Sequence, residues 1–417
     1  MSSALTPAQP EANSCKESQS SDWGRRQIVA LATVFFFAFL GGGAFQQFLG
    51  EALGGTEAAR ALRSTLLAVL YGSFLVWRIG VAWTSRWLGE WQSILVGALL
   101  YATFPTLILL GAPPWLLIVG AAAWGWGAAS LWVGSLTRVL HLSARTRYGR
   151  GAATIYVGTL TGLALGLVVQ SLLAWRWGTG AIPVWAAGAS LAAAVVAATL
   201  WRGGAPQEPP TWRVYRGLLL DRHILLSGAM LFAAGLTYPV LLSTFGDEVV
   251  HRTSVAALGL VAVWFHLGKA ALSYVGGRAS DRWGRGWTLA IGFLGGAAGL
   301  VLAGLLRQTA GLALAAFCLG IPSGMVPVVA TALVGDRVQG RQRMMALGSL
   351  FVWRDGAVVV GLVAGELLRR SLSLTGSYLV LATVLVGFAL ASRRLGRKLR
   401  EDSAEPAVAH SPAERGG

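Results

Sequence analysis

Apolar residues along this chain come in runs of about 18–24, separated by short basic or glycine- and proline-containing stretches. Runs of that length match the ~20 residues a helix needs to cross ~30 Å of hydrocarbon. The pattern predicts twelve spans, with the first six at 27–50, 65–84, 92–111, 115–138, 152–174 and 181–201. The second six fall at 224–246, 255–276, 287–306, 309–334, 345–367 and 378–392. Helices are the only sensible form for these segments, because lipid offers no partner to an unpaired backbone group. The alternating ten-residue segments of a membrane barrel do not occur in the sequence. The predicted fold class is an all-α membrane protein of twelve transmembrane helices.

Composition agrees. Of 417 residues 55% are hydrophobic and 12% charged, against about 25% charged in soluble domains. The 55 glycines suit close helix–helix approach in lipid. A net charge of +16 raises a nucleic-acid partner, but its distribution argues for topology instead. With an even number of spans the termini share one side, and most of the 34 Lys and Arg fall there. The positive-inside rule then places both termini in the cytoplasm of a multi-pass cell-membrane protein, as in a bacterial inner membrane. The clusters Arg145–Arg150, Arg337–Arg343 and Arg393–Arg400 are topology signals first and contacts to anionic headgroups second. Residues 1–26 are polar and carry Pro7, Pro10, Glu11 and Glu17, so they are not a signal peptide; they and 401–417 are expected to be disordered tails. Many of the 18 tryptophans, namely Trp83, Trp87, Trp91, Trp115, Trp201, Trp283 and Trp287, sit at predicted span ends, as an interfacial belt.

The longest polar interruption, 202–223, divides six spans (27–201) from six (224–392) and leaves a second tail at 393–417. Shifting the chain by 196 residues lays Gly50-Glu51 on Gly246-Asp247, Gly72 on Gly268, Gly80 on Gly276 and Arg86-Trp87 on Arg282-Trp283. Two pseudo-symmetric six-helix bundles are a recurring transporter plan.

Between the eighth and ninth spans lies Gly277-Arg-Ala-Ser-Asp281-Arg282-Trp-Gly284-Arg285-Gly286. It resembles the signature G-x-x-x-D-[RK]-x-G-[RK]-[RK] of the major facilitator superfamily, departing only at the last position. Gly277 would let helices approach and Gly284 would permit a tight turn. By that resemblance Asp281 would meet the start of the fifth span near Gly151 and Ala152, at the positive end of a helix dipole. Arg282 and Arg285 would complete a cytoplasmic latch. The first half keeps Arg86 but has Ser85 in place of the aspartate; the arginine that family antiporters carry in the fourth span is Ala121 here. The fifth span lacks their Gly-Pro element and has Gly158, Gly162 and Gly166 as a small-residue packing stripe. The resemblance implies a secondary transporter, antiporter or symporter, of a small solute.

Charges inside spans cost at least ~2.5–3.5 kcal/mol each on insertion scales, so each needs an account. Arg78, Lys269, Arg354 and Asp355 are the four. Neighbours on a helix point ~100° apart, so Arg354 is not the expected partner of Asp355. By the family architecture, in which spans two and eleven touch, Arg78 is. Asp355 is then either one side of a structural ion pair or a proton-coupling carboxylate. His266, Lys269 and Ser273 share a helical face, which would either bind an anionic group or let Lys269 snorkel to the headgroups. Three cations against one carboxylate favour an anionic solute. Gly41-Gly42-Gly43 weakens the first span, and Gly235 and Pro239 interrupt the seventh. Such breaks can expose backbone to a cavity, with Gln46, Gln47 and Tyr238 either as polar lining or as interhelical hydrogen-bond partners without substrate contact. Glu51, Asp247 and Glu248 fall at the outer ends as solvated gate residues.

Other classes fit less well. The five histidines and two cysteines (Cys15 and Cys318) make neither H-E-x-x-H nor paired-ligand spacing, so neither metal nor cofactor nor enzyme is predicted. No phosphate-cradling loop is present for ATP drive, and no filter segment for a channel. The competing expectation is a facilitator-like protein acting as a sensor, assembly factor or lipid translocator without solute transport.

Overall fold

A computed structural model describes residues 10–142, 148–200, 212–335 and 342–404. The extreme tails, most of the linker and the basic loops at 143–147 and 336–341 lie outside the described residues. Every regular element among the described residues is helical. In order they are α1 (Pro10–Ala38), a π-helical turn (Phe39–Gly43), α2 (Ala44–Ala52), α3 (Glu57–Leu109), α4 (Pro114–Leu142), α5 (Tyr148–Trp177), α6 (Ala181–Ala198) and α7 (Trp212–Leu219). There follow α8 (Arg222–Gly235), α9 (Thr237–Leu242), α10 (Thr244–Arg252), α11 (Val255–Trp283), α12 (Arg285–Leu305), α13 (Thr309–Gly335), α14 (Gln342–Ser371) and α15 (Leu374–Ala404).

Eleven stretches among the described residues are long and apolar enough to cross a membrane, and each overlaps an expected span. The twelfth expectation, 345–367, falls within α14, whose 30 residues measure ~45 Å. That helix is diluted by Arg354 and Asp355 near its middle. The tails are more helical than their polarity suggested. α1 starts at Pro10, in the first-turn position where proline's missing N–H costs nothing, and continues through residues expected to be disordered. α15 likewise runs on to Ala404, into the stretch from 401 expected to be disordered.

Both expected breaks are present. The glycine triplet forms the π turn, and the seventh span is broken into α8, α9 and α10 around Gly235, Pro239 and Ser243. The long α3 holds two spans joined at Gly89, whose φ of 75° only glycine adopts without strain. Trp87, Trp115, Trp283 and Trp287 are exposed, whereas Trp83 and Trp91 are half-buried, with the Trp91 indole N–H donating to the Ala197 carbonyl at 3.1 Å; Trp201 lies outside the described residues.

Contacts divide the chain into two compact units. The first comprises Met1–Leu218, Pro239–Val263 and Val358–Leu367; the second comprises Leu219–Tyr238, Trp264–Ala357 and Leu368–Gly417. In the first unit the glycine stripe of α5 packs on the start of the chain. A Cβ at Gly158, Gly162 or Gly166 would strike the carbonyl oxygens of Ala32, Phe36 and Leu40, one helical turn apart. In the second unit α13 packs on α11 in the same way, with Gly320 and Gly324 against the carbonyls of Phe265 and Lys269, and Gly268 against that of Phe317. Because backbone, not a flexible side chain, is what a Cβ would meet, Gly162→Val is expected to cost at least ~1–3 kcal/mol. A lower thermal midpoint of the purified protein measures it; an unchanged midpoint would show that the α1–α5 contact is looser than described.

Candidate functional site

The second unit gathers the expected intramembrane charges. α13 holds α11 close through Gly320 and Gly324, and Gly235 at the end of α8 lies against α14, where a Cβ would sit 3.0 Å from the Arg354 carbonyl oxygen. α9 reaches α13 through the hydroxyls of Thr237 and Ser323, 3.0 Å apart. The Tyr238 ring lies 5.9 Å from Phe265 and 6.3 Å, edge-on, from His266. These contacts bring His266, Lys269, Tyr238, Arg354 and Asp355 into one unit.

Asp355 is buried, with 3% of its surface exposed. Its Oδ1 accepts from Nε and Nη2 of Arg354 at 2.9 and 2.7 Å. This corrects the expectation that neighbours would not pair. Cβ directions diverge by ~100°, but the arginine side chain is long enough to fold back along the helix and meet the shorter carboxylate. Its guanidinium also lies over the Phe351 ring at 4.9 Å. The expected partner Arg78 belongs to the first unit, with its guanidinium 5.1 Å from the Phe74 ring centre.

Lys269 lies midway along α11, within electrostatic reach of both Arg354 and Asp355. Nine residues, ~13 Å, separate it from Arg278, the next charge toward the basic end, which is farther than a lysine side chain reaches. That position argues against snorkelling. His266 is buried, and its Nδ1 has no hydrogen-bond partner among the described residues. Ser273, on the same face, is committed to backbone: its hydroxyl donates to the Lys269 carbonyl at 2.7 Å, with that of Gly324 at 3.2 Å.

The first unit treats its polar residues differently. The backbone freed by the π turn is satisfied internally, not opened to a cavity. Gly42 N–H donates to Ser190 Oγ at 2.9 Å, and Gln170 Nε2 donates to the Gly41 carbonyl at 3.0 Å. Gln46 Oε1 accepts from the Tyr71 hydroxyl at 2.6 Å, and Gln47 Nε2 donates to the Leu241 carbonyl at 2.9 Å. Both glutamines are buried and joined to other helices.

Sequence reasoning missed a largely buried, two-pronged ion pair of this unit. Arg63 Nη1 and Nη2 donate to the two carboxylate oxygens of Asp247 at 2.5 and 2.9 Å. Side-chain exposures are only 5% and 19%. Arg60 approaches the same carboxylate at 3.9 Å, and Glu51 is within electrostatic reach of Arg60, Arg63 and Asp247. Glu248 pairs with Arg252 one turn on. Asp247 and Glu248, expected to be solvated, are thus largely buried and paired. The repeated glycine–acid pairs explain themselves here. A Cβ at Gly50 would crowd Arg63 at 3.2 Å, and one at Gly246 would meet Gln47 Nε2 at 2.8 Å. Each glycine makes room for a polar side chain that joins separate segments.

In the signature loop, Gly284 turns with φ 86° and ψ 156° ahead of α12. Close helix approach falls one residue before Gly277: a Cβ at Gly276 would lie 3.0–3.2 Å from Met325, whereas one at Gly277 would make only ordinary contact with Val328. Asp281 and Arg282 are exposed and Arg285 is half-buried; Arg86 is on α3, its side chain outside the described residues. Gly89 turns almost as Gly284 does, with φ 75° and ψ 172°. Gly284 follows Gly89 by 195 residues, so the first-half loop is one residue longer than the 196 register implies. On this alignment Glu90 stands where Arg285 does. Glu90 is buried, within electrostatic reach of the fully buried Arg138 on α4.

Residues 223–415, slightly under half of the chain, match the family model of the Major Facilitator Superfamily. No curated protein sequence matches the chain. Among solved structures, a POT family transporter in complex with 5-aminolevulinic acid is similar with a TM-score of 0.73 and 13% identity, covering 90% of this chain and 96% of that one. The nucleoside transporter NupG is similar at 0.69 and 13%, over 89% and 98%. A bacterial homolog of the human lysosomal transporter Spinster, inward-facing and unoccupied, scores 0.69 at 12% identity, over 90% and 98%. Identities this low speak for the fold alone. The match over residues 223–415 and the fold shared over nearly the whole length make this a multi-pass helical protein similar to the transporters of the Major Facilitator Superfamily.

Proposed function

We propose that the protein is a secondary active transporter moving a small organic solute by alternating access, with two six-helix halves, 27–201 and 224–392, and both termini in the cytoplasm. One observation carries this reading: Lys269, Arg354 and Asp355 lie at mid-helix in the second unit. Charges at that depth are costly and mark substrate or ion pathways. Solutes named with the structural neighbours, nucleosides and 5-aminolevulinic acid, are small organic molecules and fit the same class. Asp355 is the coupling carboxylate of the proposal, with a proton as coupling ion and an anionic solute. The Arg63–Asp247 pair is its outer gate, and Asp281, Arg282 and Arg285 are its cytoplasmic latch.

A gate makes a direct prediction. With Cys15 and Cys318 replaced by serine, Arg63→Cys and Asp247→Cys joined by a short bifunctional thiol reagent are expected to stop solute exchange across reconstituted vesicles. The unjoined double variant keeps exchanging. Full exchange by the joined protein would rule out opening at this end and, with it, alternating access through this gate.

A further inference from the structure

In the second unit the exposed face of α12 is one apolar stripe. Trp287, Ile291, Leu294, Val301 and Leu305 are 39–69% exposed, with exposed Ala298 between them, and their spacing sets them on one side of the helix. From Trp287 to Leu305 the stripe rises ~27 Å, close to the ~30 Å of a hydrocarbon core. A face of that length without an exposed polar group suits lipid rather than a water-filled path. α15 packs beside it: the Phe293 and Phe388 rings are 5.7 Å apart, and a Cβ at Gly296 would lie 3.1 Å from Leu385. Leu379, Val386 and Leu390 of α15 are exposed as well, and helical spacing puts Arg393 at the end of the same face. The two stripes close on each other there. The Arg393 guanidinium lies over the Trp287 ring, 4.1 Å from its centre, and both side chains are exposed. Among the described residues no carboxylate pairs with Arg393.

We propose that Trp287 and Arg393 form a headgroup site for an anionic phospholipid of the inner leaflet, of the phosphatidylglycerol class. Stacking on the indole occupies a face of the guanidinium and leaves its in-plane N–H donors for a phosphate, which they match two at a time. The indole holds that arginine at headgroup depth, and the lipid chains lie along the α12–α15 stripe. A zwitterionic lipid brings its own cation and leaves the charge of Arg393 uncompensated. The basic cluster at 393–400 thereby acquires one defined contact. Arg394, also exposed, is the internal comparison: it points ~100° away on the helix, and no described ring lies beneath it. The proposal goes beyond the transporter reading and needs only the membrane topology, with the end of α15 in the cytoplasm.

The test reconstitutes the full chain into phosphatidylcholine vesicles doped with phosphatidylglycerol or phosphatidylcholine whose chains are brominated to quench tryptophan. The Trp287 signal is the emission of each protein less that of the same protein carrying Trp287→Phe. Brominated phosphatidylglycerol is expected to quench Trp287 at about one fifth of the mole fraction that brominated phosphatidylcholine needs, the effect of one basic residue at an anionic surface. Arg393→Gln is expected to abolish that preference and Arg393→Lys to keep part of it, while Arg394→Gln leaves it in place. These side chains are exposed, so the fold is expected to survive each change. Equal quenching by the two lipids, or a preference that survives Arg393→Gln, overturns the site. So does an equal loss with Arg394→Gln, which would reduce the effect to diffuse surface charge. Removal of the preference by millimolar glycerol phosphate, a headgroup without chains, would make this a soluble-phosphate site and overturn the lipid. Solute exchange enters none of these outcomes, so the transporter reading stands or falls separately.

Discussion

Asp247→Ala is expected to destabilise the protein more than Asp247→Ala and Arg63→Ala together. Arg63 is only 4% exposed and gives both terminal nitrogens to the Asp247 carboxylate. Removing the carboxylate alone strands a buried guanidinium, and breaking a buried pair from one side costs about 3–5 kcal/mol. Removing both partners removes the stranded charge, so the double variant should recover much of the loss. Gly50 also fits this account. It leaves room for Arg63, so Gly50→Leu should push the arginine aside and mimic the single variant. Thermal midpoints of wild type, Asp247→Ala, Arg63→Ala and the double variant form a double-mutant cycle. Additive effects of the two alanines would show that the pair contributes little.

The second large effect belongs to Asp355. With Ala in its place, Arg354 loses the carboxylate it is bonded to, and Lys269 loses the negative charge within its electrostatic reach. The expected cost is near the lower end of the same ~3–5 kcal/mol range, because Arg354 is 31% exposed and partly screened. Solute exchange should disappear. Asp355→Asn keeps the shape and hydrogen-bonding capacity without the charge, so the fold should survive while the pH dependence of transport is lost. Exchange by Asp355→Asn with unaltered proton dependence would place coupling elsewhere.

Much of the fold was legible because membrane helices advertise themselves by length and hydropathy, and because breaks at Gly41-Gly42-Gly43 and Pro239 are written in the sequence. The α5 stripe was equally legible: glycines four residues apart leave one face without side chains, and a neighbouring backbone fills it. The gate was not. Hydropathy assigns an arginine to a loop, which put the second span at 65 and Arg63 outside it. The helix starts at Glu57, capped by Thr56, whose hydroxyl accepts from the Ala59 amide. That threonine followed by an acid was the available signal. Glu90 and Arg138 were missed for a related reason. The loops match only when one residue is inserted, and a gapless register hides that Glu90 follows the turning glycine as Arg285 does. The Arg354–Asp355 pair was misjudged from Cβ directions, which govern short side chains better than long ones.

Solute counterflow tests the central claim most directly. Vesicles containing only the purified full chain, loaded with an unlabelled solute that raises its thermal midpoint, are diluted into the labelled form without ATP. The account predicts transient accumulation of label by the wild type and none by folded Asp355→Ala protein. A solute that binds wild type tightly yet never exchanges across those vesicles would contradict it, and would make this a membrane receptor built on a transporter fold.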